Sequence, residues 1–188
     1  MSLPLVIGYR HTGIIVKDME ESLYFYRDIL GLKVIQDFSD SSQYINKITG
    51  IKNADVHMIK LEAGAGAVLE ILEYCNHPTE LIDQPIYNVG ASHIALQVKN
   101  AEKAYKILKE KGIKIISKPV LSSEKIAKVF FCFDPNDVRI ELVEMLDAKI
   151  MIDNLKEMFS NENDPIIAAK VSDKGIRLIT ISDLKQIK

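Results

Sequence analysis

Residues 8–18, Gly8-Tyr-Arg-His-Thr-Gly-Ile-Ile-Val-Lys-Asp18, align without a gap on residues 90–100, Gly90-Ala-Ser-His-Ile-Ala-Leu-Gln-Val-Lys-Asn100. Self-similarity at this spacing marks two copies of one supersecondary unit, and it limits the fold more than any other feature of the chain. The likeness continues downstream. Asp18 and Asn100 are N-cap residues for helical patterns over residues 19–30 and 101–111, and Gly31 and Gly112 suit the C-terminal caps. Each glycine leads into a short β-branched run, Leu32-Lys-Val-Ile35 or Ile113-Lys-Ile-Ile116. Both halves close on an alternating strand, Val68-Leu-Glu-Ile-Leu-Glu-Tyr74 or Arg139-Ile-Glu-Leu-Val-Glu-Met145.

The reading is an α+β chain of two βαβββ modules, residues 8–74 and 90–146, within a domain spanning residues 1–146. Together the modules are expected to form a curved mixed sheet around a cleft. The first half carries an insertion over residues 38–53, rich in Ser, Asp, Asn and Gly, that reads as an exposed loop. Residues 147–188 form a small C-terminal extension: an amphipathic helix over 147–159, a polar break over 160–164, two short strands over 165–171 and 176–181, and a final helical turn over 182–187. Its role is not written in its residues.

Strand side chains alternate between faces, so the repeat also fixes where polar groups go. His11 and His93 occupy equivalent places, as do Glu70 and Glu141. If Leu69, Ile71, Ile140 and Leu142 cover the helices, both glutamates lie on the opposite sheet surface with both histidines. Two imidazoles and two carboxylates make a mixed nitrogen and oxygen donor set, suited to one divalent Ni, Zn, Co, Fe or Mn ion rather than to Ca. Taken singly, a strand histidine is more often a satisfied packing residue and a strand glutamate a solvated one. Symmetry-equivalent pairs of both argue for a metal site.

Charge and cysteine usage narrow the partners. Twenty-four basic residues against 26 acidic ones give a net charge of -2, which offers no basic field for nucleic acid, so a small molecule is the expected ligand. No apolar run reaches the ~20 residues that cross a bilayer, and the first residues lack the pattern of an export signal. A cytoplasmic protein without a membrane partner is expected. Cys75 and Cys132 lie in different segments with no CxxC spacing, so neither a disulfide scaffold nor a zinc knuckle is implied. His77, in Asn76-His-Pro78, reads as a loop residue.

At these residues the chain resembles the vicinal-oxygen-chelate superfamily, which includes glyoxalase I, methylmalonyl-CoA epimerase, extradiol dioxygenases and bleomycin- and fosfomycin-resistance proteins. The resemblance rests on Arg10-His-Thr-Gly-Ile-Ile-Val16, Ser22-Leu-Tyr-Phe-Tyr-Arg-Asp-Ile-Leu-Gly-Leu32, Ser92-His-Ile-Ala-Leu-Gln-Val98 and Phe133-Asp-Pro-Asn-Asp-Val-Arg-Ile-Glu-Leu-Val-Glu144. It covers roughly residues 8–146. The order His, Glu, His, Glu is similar to bacterial glyoxalase I, and the resemblance implies metal ligands at His11, Glu70, His93 and Glu141. It also implies a lactoylglutathione lyase-like lyase or isomerase that moves a proton next to a carbonyl through an enediolate, with a ligand carboxylate, Glu141 or Glu70, as the base.

His57 is a second candidate base. It stands on the strand where the resemblance to epimerases places a catalytic carboxylate, provided alternation brings it with Ile59 to the cleft face. An imidazole titrating near ~6.5 suits such work at neutral pH. The alternative for His57 is a rim or supporting position. Other activities within the superfamily are an epimerase-like racemase, an extradiol-type dioxygenase and a non-catalytic small-molecule-binding resistance protein. Members often dimerise, which makes a homodimer the expected assembly.

Overall fold

The computed structural model of the chain describes residues 4–123, 125–158, 166–172 and 175–180. Its element order is β1 (Thr12–Ile15), α1 (Met19–Leu23) running into a π-helical stretch (Tyr24–Ile29), β2 (Lys33–Asp40), α2 (Gln43–Thr49), β3 (Val56–Glu62), β4 (Val68–Tyr74), β5 (His93–Gln97), α3 (Ala101–Glu110), β6 (Val120–Leu121), β7 (Ala127–Phe133), β8 (Arg139–Met145), α4 (Ala148–Met158), β9 (Ile166–Ser172) and β10 (Gly175–Thr180). The repeat is realised as two four-stranded sheets of the same connectivity, β1-β4-β3-β2 and β5-β8-β7-β6. The chain divides into two compact units, residues 1–93 with Phe133–Arg139, and residues 94–132 with 140–188.

In the first unit β1 runs parallel to β4, while β4, β3 and β2 are antiparallel neighbours. One sheet face carries Leu69 and Ile71 from β4 and Ile59 and Leu61 from β3, all buried. It packs with Val16, Met19, Leu23, Phe25 and Tyr26, buried residues of the α1 region. Removing each such large apolar side chain from water contributes ~1.5–3 kcal/mol, so this face supplies most of the unit's cohesion. Asp18 caps α1 by accepting from the Glu21 amide at 2.8 Å. Gly31, at φ +80°, takes the left-handed conformation that ends the helix.

The insertion is not a loop. Residues 43–49 form α2, capped by Ser42, whose hydroxyl accepts from the Tyr44 amide, and closed by left-handed Gly50. Its Ser, Asn and Gly content reflects cap chemistry, and the apolar spacing inside is too short to register as a helix. Ile45 is 3% exposed and clusters with Ala54, Val56 and Met58, with Phe38, Ile51, Leu72 and Tyr74 packed around them. Val56, Met58, Leu72 and Tyr74 project from the sheet face opposite Ile59 and Ile71, as the β3–β4 register requires. The helix therefore covers one end of the face that bears Glu70.

In the second unit, Ala101 and Leu108 of α3 are buried, as are Phe130, Cys132, Ile140 and Leu142 of β7 and β8. Tyr105 meets Phe130 edge to face, with ring centroids 6.0 Å apart. The Asn100 side chain accepts from the Lys103 amide at 2.7 Å, as expected of an N-cap. Cys132 is buried and Cys75 exposed.

The extension follows its expected order through α4 and the antiparallel hairpin β9–β10. Met151 is 9% exposed, and the Asn154 amide donates to the Lys125 carbonyl at 2.7 Å. The expected polar break at 160–164 and final turn at 182–187 lie outside the described residues. Among the described residues, no helix is long and apolar enough to cross a membrane.

Candidate metal half-site

The β1–β4 register sets Gly13 beside Glu70, and His11 lies two residues before Gly13, on the same face. His11 Nε2 stands 3.2 Å from Glu70 Oε2, with side chains 31% and 12% exposed. Two donors bound to one ion at about 2.0–2.2 Å are separated by about 3.0 Å at an angle of 90° and about 3.4 Å at the tetrahedral angle. The observed spacing falls between these values, so the imidazole and carboxylate fit adjacent positions on one divalent ion. A Cβ at position 13 would meet Leu72 Cδ1 at 3.5 Å and Glu70 Oε2 at 3.8 Å, both ordinary van der Waals contacts, so the pair tolerates a side chain beside it.

The Glu70 carboxylate has a second neighbour that sequence reasoning missed. Lys60, directly opposite on β3, places Nζ 3.5 Å from Glu70 Oε1. The same ammonium donates to Gln36 Oε1 at 3.1 Å and lies 5.6 Å from the centroid of Phe38. Lys60 follows from the alternation of Val56–Glu62, in which a lysine falls between buried neighbours. Its partner across the strand pair depends on register, which the sequence of one strand does not contain.

His93 opens β5 and Glu141 is the third residue of β8, which neighbours β5 as β4 neighbours β1. The backbone repeats with them: Val16 donates to the Leu72 carbonyl at 2.9 Å, and Val98 to the Val143 carbonyl at 2.8 Å. His11 and Glu70, two of the four expected ligands, are in direct contact. Among the described residues, no group of three or more His, Cys, Asp or Glu side chains is arranged to hold an ion.

His57 shares the face of Ile59, two residues along β3, and its register partner is Glu73. Alternation thus puts His57, Ile59, Ile71 and Glu73 on one face and Lys60 and Glu70 on the other. The condition for a cleft-facing His57 required the face of Ile59 to be the cleft face, and it is instead the face of the buried core. There His57 Nε2 is 2.7 Å from Asp37 Oδ1. His77 is a loop residue, with Nδ1 2.7 Å from Asn76 Oδ1.

Two further glutamates, passed over in the sequence, repeat as faithfully as the expected ligands. Glu73 accepts from the Met19 amide at 3.1 Å and Glu144 from the Ala101 amide at 2.8 Å. Each carboxylate meets the first residue of its module's helix, where unpaired N–H groups and the helix dipole favour negative charge.

Comparison with known proteins fixes the class. Residues 8–142 match the profile of the Glyoxalase/Bleomycin resistance protein/Dioxygenase superfamily, and the chain belongs to that family. A lactoylglutathione lyase of Schizosaccharomyces pombe is 33% identical over 152 residues, covering 74% of this chain and 48% of that protein. The chain therefore spans about half the length of that relative. A lactoylglutathione lyase of Salmonella typhimurium is 27% identical over 149 residues, covering 73% of this chain and 93% of the relative. Among solved structures, a glyoxalase family protein from Bacillus cereus superposes with a TM-score of 0.71 at 15% identity, covering 78% of this chain and 99% of that one. That likeness supports the fold.

Proposed function

We propose that the protein is a metal-dependent lyase or isomerase of the glyoxalase I type, with His11, Glu70, His93 and Glu141 as ligands to one divalent Ni, Zn, Co, Fe or Mn ion. The contact between His11 Nε2 and Glu70 Oε2 carries this reading, because its 3.2 Å spacing suits two donors sharing an ion. The equivalent places of His93 and Glu141 in β5 and β8 support the other half of the ligand set. When bound, the ion supplies Lewis-acid polarisation of substrate oxygens.

The protein's own residues do the rest. A carboxylate, Glu141 or Glu70, takes the proton from the carbon next to the carbonyl and returns it to the neighbouring carbon. Met58, Leu72 and Phe38, held by α2, give the Glu70 face an apolar end that shields the reacting group from water. The lactoylglutathione lyases among the relatives direct the substrate proposal to the hemithioacetal of methylglyoxal and glutathione.

The proposed assembly is a homodimer. Leu5, Ile7, Ile82, Tyr87 and Val89 are at least 80% exposed, an apolar set that a second copy can cover. Light scattering of the purified protein measures this directly, and a monomer at all concentrations rejects it.

The central test combines elemental analysis with a turnover assay on the hemithioacetal, before chelation, after it, and after readdition of each of the five ions. Stoichiometric metal and reversible loss of turnover are expected. Full turnover in a chelated, metal-free sample rejects the mechanism.

A further inference from the structure

The row Gly13–Glu70–Lys60–Gln36 crosses the first sheet from β1 to β2, each residue facing the next in register. Within it the two oxygens of Glu70 are treated differently: Oε2 faces His11 Nε2 at 3.2 Å, and Oε1 faces Lys60 Nζ at 3.5 Å. Lys60 is itself held. Its side chain is 19% exposed, its ammonium donates to Gln36 Oε1 at 3.1 Å, and the Phe38 ring lies beneath it.

The second module breaks the symmetry at this point. The spacing that carries Glu70 to Glu141 and β3 to β7 carries Lys60 to Phe131. The two glutamates are equivalent in the repeat, and the residue at the place of Lys60 in the second module is a phenylalanine.

We propose that Lys60 is a positioning residue that reserves Glu70 Oε1 for itself, so that Glu70 ligates the metal through Oε2 alone. This rests on the metal-site reading given under Proposed function. Its physical basis is competition: an ammonium on one oxygen disfavours two-oxygen chelation by the carboxylate, and its charge opposes the nearby dication. One-oxygen ligation leaves a coordination position open for substrate. Lys60 thus lowers the affinity for the ion while keeping room on it.

The test reads Co(II) binding, free of any assumption about substrate. Wild type, K60M, K60R and Q36L are titrated with Co(II) against a competing chelator, and the visible d–d absorption of each saturated protein is recorded. H11A serves as the control that the band arises at this site. K60M is expected to bind Co(II) about tenfold more tightly, the scale of losing one repulsive charge near the ion. Its d–d band is expected to weaken as the coordination number rises.

K60R should restore the wild-type affinity and spectrum. Q36L, which frees the ammonium from its anchor without removing the charge, should alter the spectrum in the sense of K60M by a smaller amount. If K60M does not fold, the spectrum of Q36L decides. Unchanged affinity and spectrum in K60M, or weaker binding of the kind a packing defect produces, overturns the role of Lys60 while leaving the metal site standing. A wild-type protein that takes up no Co(II) in a His11-dependent band overturns both.

Discussion

The Glu73 carboxylate accepts the amide N–H of Met19, joining the last turn of a strand's alternation to the first residue of the helix that packs on its sheet. Glu144 does the same for Ala101. Glu73→Ala leaves a partly buried helix-terminal donor without its acceptor, and is expected to lower unfolding free energy by about 1–2 kcal/mol. Glu73→Gln retains an acceptor and should lose less. Urea unfolding of both variants measures the difference; equal stability of Glu73→Ala and wild type rejects the cap.

The core position of α2 gives a second prediction. Ile45→Ala is expected to cost about 2–5 kcal/mol, the range for truncating a buried large aliphatic residue. A residue in a solvated loop would change stability within about 0.5 kcal/mol. Thermal or urea unfolding separates these outcomes.

His57 and Glu70 should respond differently to substitution, because they occupy opposite faces of the first sheet. His57→Gln is expected to retain wild-type metal content on elemental analysis, whereas Glu70→Ala should lose its ion. Loss of the metal from His57→Gln would instead make that imidazole a candidate ligand.

Asp134 gives a dependence on pH. The carboxyl is 5% exposed and accepts from Tyr26 Oη at 2.9 Å and from the Val138 amide at 2.7 Å. Burial raises its pKa above the ordinary carboxylate range, while hydrogen bonds from Val138, Tyr26 and Asn136 oppose the rise. A group with a higher pKa folded than unfolded holds its proton more tightly when folded. Its contribution therefore declines as pH rises from the unfolded value of ~3.9 through the raised folded value, and is level above it.

Asp134→Asn does not titrate. Wild type should lose stability relative to Asp134→Asn as pH climbs through that window. Urea unfolding at a series of pH values gives the slope, and a relative gain with rising pH contradicts it.

The repeat, its caps and both strand-borne glutamates were legible because each depends on residues close together in sequence. Asp18 and Gly31 bracket their helix whatever lies across the sheet. What stayed hidden required register or tertiary contact. Lys60 becomes informative only once β3 is aligned with β4, and α2 only once Ile45 has a sheet to pack against. His57 shows the limit of alternation, since knowing that it shares the face of Ile59 is useless until one knows which face is core. The second glutamate of each closing strand was visible as a repeated letter, but its role depends on where the helix begins in space.

The turn Phe133–Arg139 has a consequence for where the chain can be divided. Although it lies in the later half of the sequence, it clusters with the first unit, where Asp134 receives the buried Tyr26 hydroxyl and Asn136 Nδ2 donates to Ser22 Oγ at 3.1 Å. Without this turn Tyr26 loses the Asp134 acceptor and Ser22 the Asn136 donor, while the Ser22 hydroxyl keeps its bond to the Asp18 carbonyl at 2.7 Å. Cutting the chain after residue 93 therefore takes two hydrogen-bond partners away from the first unit.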